Sequence, residues 1–100
     1  MSLVKKEAPT AVKKVYIGAL PNNTTKEVPH GLTSQQASKI VRIWGVMWNE
    51  PGNIFPLPYV NTNADPNTAS IYVQDQNLRV RTNTNYTAYT GVAYIEYELG

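Results

Sequence analysis

The chain has no cysteine, so it offers neither a disulfide framework nor a thiolate for nucleophilic or metal chemistry, and leaves the redox compartment open. Charge is scarce too: charged residues make up 16% of the sequence, against roughly 25% in an average globular protein. Nine Lys+Arg against seven Asp+Glu give a net +2, and Lys5, Lys6 and Lys13 sit near the amino end rather than on a patch. That balance disfavours a dedicated nucleic-acid domain. No apolar run approaches the ~20 residues needed to cross a bilayer, and Met1 to Thr10 has no hydrophobic stretch of the signal-peptide kind. The expectation is a soluble protein without membrane insertion.

Catalytic groups are as thin. His30 is the only histidine, which excludes a two-histidine metal site and makes it the sole partner for any serine triad. Outside the amino-terminal tail the serines are Ser34, Ser38 and Ser70, and none lies in a nucleophile-elbow sequence. A loop histidine hydrogen-bonded to backbone is the plain reading of His30. Asp65 and Asp75 stand in turn contexts, while Glu96 and Glu98 fall on the outer face of a final strand, so no carboxylate pair points to glycoside hydrolysis. The six glycines are scattered singly, without a phosphate loop or dinucleotide fingerprint. No enzymatic activity, metal or cofactor is expected.

What is present is one domain's worth of β-forming sequence. The 100 residues suffice for a single core, hydrophobic residues make up 42%, and asparagine and threonine give the chain an amide- and hydroxyl-rich surface. Residues 1–10 lack any period and read as a linker or an expression remnant; Met1-Ser2-Leu3 and Gly100 suggest a piece of a longer protein. From Ala11 onward, β-branched and aromatic runs alternate with Pro, Asn, Gly and Asp clusters. Strands are predicted over Val12–Leu20, Thr24–Pro29, Lys39–Trp48, Ala69–Gln74, Leu78–Thr82 and Ala88–Leu99, the last bent at Gly91. Pro29 places the second near an edge, and the prolines in Ile54–Val60 put that extended segment at an edge or take it out of the sheet. Asp75-Gln76-Asn77 reads as a three-residue hairpin loop, 61–68 as a polar loop, and Thr33–Ser38 as the one helical turn, opened by a Ser or Thr cap. About seven strands at this spacing describe a single antiparallel β-sandwich or jelly-roll-like domain over 11–100.

Two groups of residues stand out. On Lys39–Trp48, strict alternation places Ile40, Arg42, Trp44, Val46 and Trp48 on one face and Val41, Ile43, Gly45 and Met47 on the other. A strand apolar on both faces must be covered twice, by a flanking loop or by a neighbouring subunit, which makes the first set a candidate oligomer interface. In the hairpin, Leu78, Val80 and Thr82 share one face while Arg79 and Arg81 point to the other, suiting solvent or an intersubunit carboxylate. The second group is a candidate ligand site: Tyr59, Asn61, Asn63, Asp65, Asn85, Tyr86 and Tyr89 combine flat rings with loop amides and a carboxylate, the mixture sugars require. The alternative is that these rings fill a small β core and the polar groups solvate its loops. Asn-x-Thr sequons at Asn22, Asn23 and Asn85 mark exposed loops.

The stretch from Val15 to Leu32, with its Leu20-Pro21-Asn22 turn, Thr24-Thr25 and His30-Gly31-Leu32 loop, resembles the opening of a small carboxy-terminal β domain of bacteriophage tail fibre and receptor-binding proteins. The similarity continues through Ile40-Val41-Arg42-Ile43-Trp44-Gly45, Phe55-Pro56-Leu57-Pro58-Tyr59-Val60 and the closing run from Tyr86 to Tyr97. The resemblance implies a virion component, commonly homotrimeric, that acts extracellularly and binds a bacterial cell-surface glycan or protein receptor. A purely structural trimerisation or head-decoration module, and a carbohydrate-binding module of a secreted bacterial protein, are the alternatives.

Overall fold

The computed structural model describes residues 9–60 and 67–99. Among these, eight strands and one helical turn follow in order: β1 (Thr10–Ala19), β2 (Thr25–Pro29), α1 (Ser34–Ala37), β3 (Ile40–Glu50), β4 (Asn53–Leu57), β5 (Tyr59–Val60), β6 (Thr68–Gln74), β7 (Asn77–Thr82) and β8 (Thr90–Glu98). They form two four-stranded antiparallel sheets, β1-β8-β3-β4 and β2-β7-β6-β5, packed as the expected sandwich.

The eighth strand arises where prolines interrupt the run from Ile54 to Val60. The chain finishes β4 at Leu57, at the edge of the first sheet, and resumes as β5 at the edge of the second. A proline has no N–H for a central ladder, so both segments occupy edges. β2, ending in Pro29, is the other edge of the second sheet. The hairpin turn is two residues rather than three, because Asn77 pairs with Gln74 and leaves only Asp75-Gln76 in the turn. Thr33 caps α1 by a reciprocal box: its Oγ1 accepts from the Gln36 N–H at 3.1 Å, and the Gln36 Oε1 accepts from the Thr33 N–H at 2.9 Å. Thr10 already pairs with Glu98, so β1 starts at the last residue of the stretch expected as linker. Residues 1–8 of the expected linker and 61–66 of the expected polar loop lie outside the described residues.

Between the sheets lies a core built on Val15, Ile17, Leu20, Met47, Leu57, Leu78, Val80 and Ile95. The period-2 pleat delivers these from β1, β3, β4, β7 and β8, with Leu20 following the end of β1. Close approach at the centre requires Gly45, where a Cβ would stand 2.6 Å from the Val92 carbonyl oxygen of the neighbouring strand.

His30 does structural work at one pole. It is 1% exposed; Nδ1 accepts from the Leu32 N–H at 2.9 Å and Nε2 lies 3.1 Å from the Asp75 carbonyl oxygen. Those partners specify a neutral ring with its proton on Nε2. The ring ties the loop before α1 to the β6–β7 turn, and both its nitrogens are occupied by backbone, as the plain reading held.

Candidate recognition surface

One residue of the candidate interface is misplaced by alternation alone. The pairing of β3 with β8 shifts register between Ile40 and Arg42, so Ile40 packs against the core while Val41 is 54% exposed. A bulge inserts one extra residue and reverses the side-chain sense beyond it. Arg42, Trp44, Val46 and Trp48 do share the outer face of the first sheet, since Ile43, Gly45 and Met47 turn inward.

Register extends that face across all four strands in chemically distinct rows. Val12, Glu96 and Arg42 make a charged row; Lys14, Tyr94 and Trp44 an aromatic one; Tyr16, Val92, Val46 and Pro56 an apolar one; Thr90, Trp48 and Ile54 complete it. Trp44 and Tyr94 stack with centroids 5.5 Å apart and planes 20° apart, and the Arg42 guanidinium lies 4.1 Å from the Trp44 ring centroid. These contacts restrain the Arg42, Trp44 and Tyr94 side chains against one another. Val92 is buried on this outer side, apart from the core cluster, between Tyr16 and Val46 in the pairing, whereas Val12, Tyr16 and Ile54 are more than half exposed. The described connections between strands lead out of the two ends of the sandwich.

The candidate ligand residues gather less well. Asn61, Asn63 and Asp65 lie outside the described residues. Tyr86 is buried in the core cluster, and Tyr59 and Tyr89 pack against it half-buried. Phe55 joins them, edge-on to Tyr59 at 5.3 Å and to Tyr89 at 5.9 Å, and Tyr86 tilts against Tyr89 at 5.2 Å. Burial pushes the Tyr86 phenol above its ordinary pKa of 10.0, and Tyr59 and Tyr89 add to the shift. Tyr86 is thus core filling rather than a ligand platform, a correction to the reading of that residue as a contact. Asn85 is exposed and its Oδ1 accepts from both the N–H and the hydroxyl of Thr87, at 3.0 and 2.7 Å.

The opposite face of the sandwich is ordinary by contrast. Arg79 of β7 reaches Glu27 of β2 at 2.8 Å, so its carboxylate comes from its own chain. Among the described residues no three His, Asp or Glu side chains form a group that could hold a metal ion, and no helix is long and apolar enough to cross a membrane. Comparison of the chain with protein-family models, curated proteins and solved structures found no match.

Proposed function

We propose that this chain is a non-enzymatic attachment module of a virion tail fibre, a homotrimer that binds a polysaccharide receptor on the bacterial surface. The observation that carries this reading is the aromatic face of the first sheet, left outside a completed core, with Arg42, Trp44 and Tyr94 stacked on one another. Its Trp, Tyr and Arg side chains are the types that dominate protein interfaces.

The dimensions suit three copies. Four strands at about 4.8 Å spacing make a face roughly 19 Å wide, and three such faces set edge to edge enclose a prism whose walls stand about 5.5 Å from its axis. That is about half the ~10 Å separation of packed sheets, the depth one layer of side chains fills. An axis along the strands keeps each row at one height, so Arg42 of one copy meets Glu96 of the next, aromatic row meets aromatic row, and apolar meets apolar. An antiparallel two-fold would instead bury these charges against Trp48 and Ile54 without partners, which is costly. Three parallel copies also present the same pole to a surface together, and avidity offsets weak single-site affinity.

Burial of Tyr86 favours a second reading, a purely structural trimerisation module with no receptor. Solution mass and cell adhesion separate the cases. Light scattering coupled to size exclusion at low micromolar concentration should give the mass of three chains, and labelled protein should adhere to a subset of a bacterial strain panel. A trimer without adhesion supports the structural module, and a monomer overturns the face as an assembly surface.

A further inference from the structure

The sandwich has two unlike poles. β1, β3 and β7 run toward one of them and end in the connections 20–24, 51–52 and 83–89; β1 begins and β8 ends at the other. Across residues 20–24, 49–53 and 83–89 the sequence reads LPNNT, NEPGN and NTNYTAY, in which Glu50 is the sole charged side chain. Among the described residues six asparagines fall in these stretches, and Asn67 follows at the start of β6. Lys13, Lys39, Arg42, Asp75, Glu96 and Glu98 lie toward the other pole or its half of the sheets, whereas Lys26 of β2 and Arg81 of β7 stand near the amide-rich one.

The amide-rich pole is also cross-braced. The Asn23 N–H donates to the Thr84 carbonyl at 2.8 Å, the Tyr86 N–H to the Pro21 carbonyl at 3.2 Å, and the buried Thr82 hydroxyl to the same Pro21 carbonyl at 2.9 Å. Asn22 and Asn85 form a β-bridge across the two loops. Side chains follow suit: Thr87 occupies the Asn85 carbonyl oxygen twice, which leaves the exposed Asn85 Nδ2 as an outward donor. The nearest lysine, Lys26, spends its ammonium on the Ala19 carbonyl at 2.9 Å. Arg81 is also close, exposed on the outer face of the second sheet opposite Thr25; within the loops themselves an acidic ligand meets no cation, whereas a neutral one meets amides and hydroxyls of the kind that pair with vicinal hydroxyl groups.

We infer that this pole binds an uncharged, hydroxyl-rich glycan, with Asn85 donating to a ligand oxygen; the inference rests on the attachment reading. Because the contact is uncharged on both sides, binding does not depend on ionic strength, which screens only charge pairs.

The test measures adhesion of the labelled full chain to the strain panel at about 50 and about 500 mM sodium chloride, with and without prior periodate oxidation of the cells, which cleaves vicinal diols. Adhesion should change less than about twofold with salt, vanish after periodate, and fall at least about tenfold in Asn85→Asp. That variant keeps the oxygen Thr87 uses and replaces only the outward amide with a charge, and circular dichroism verifies its fold. Gln74→Glu, exposed at the other pole, should adhere like the parent. Adhesion that survives periodate, or that collapses at high salt, overturns the neutral glycan while leaving attachment standing. Adhesion indifferent to Asn85→Asp overturns this pole as the site. Absence of adhesion to every strain overturns the attachment reading itself, and this inference with it.

Discussion

The two outer faces of the sandwich are built from the same backbone by the same alternation, yet they are written for different surroundings. On the second sheet, outward positions carry Thr25, Glu27, Ser70, Tyr72, Gln74, Arg79 and Arg81. On the first they carry Val12, Tyr16, Trp44, Val46, Trp48, Val92, Tyr94, Ile54 and Pro56, with Arg42 and Glu96 in the row at one end and Lys14 beside Tyr94 in the next. A solvated sheet alternates apolar-in and polar-out, and only the second sheet does so. The difference shows that the inward faces define the fold, whereas the outward residues of the first sheet exceed anything the fold needs.

The sharpest way to break that contrast is to truncate one ring on each face. Trp44→Ala removes a stacked indole from the centre of the aromatic face; at an interface such a change costs about 2–4 kcal/mol, a loss of more than roughly thirtyfold in association. Light scattering at low micromolar concentration should then report single chains with an unchanged circular dichroism spectrum. Tyr72→Ala on the opposite face should leave the parent mass. Equal behaviour of the two variants would erase the distinction between the faces.

Much of this was readable from residue order. Alternation along β3 places Arg42, Trp44, Val46 and Trp48 correctly, turn chemistry locates the β6–β7 hairpin, and Pro56 and Pro58 announce a segment that leaves one sheet for the other. Ile40 was misread because a single-residue bulge leaves no mark in a hydrophobic pattern, yet inverts every position beyond it. Tyr86 was misread for a different reason. In a loop there is no period to say which ring turns inward, and its burial goes with its own contacts to Pro21 and Tyr89. The asparagine-rich pole was invisible because its residues are far apart in sequence and only the strand directions bring them together.

The close packing beneath the aromatic face can be tested from inside. Gly45→Ala drives a methyl group against the Val92 carbonyl and within 3.5 Å of the Leu57 Cβ, both held by the sheet itself. Parting β3 from β8 should cost about 2–3 kcal/mol, as overpacking of a tight core does. Gly52→Ala offers the comparison: its φ of +85° carries a strain of about 1 kcal/mol, but nothing lies within 4 Å of the added carbon. Denaturant melts of the two variants should separate by about 1–2 kcal/mol, close to a tenfold ratio in the unfolding constant, with Gly45→Ala the weaker protein.

The smallest effect belongs to the solvated face. Arg79 and Glu27 form the short ion pair there, yet their side chains remain 24% and 48% exposed, so water competes for both groups. Arg79→Ala should therefore cost less than about 1 kcal/mol, and most of that difference should disappear by about 0.5 M salt, where the screening length is only a few ångströms. Association should be unaffected, because the pair satisfies itself within one chain and offers nothing to a neighbour. A variant that lost trimers here would mean that the charged face, not the aromatic one, holds the copies together, and the contrast between the faces would have to be read the other way round.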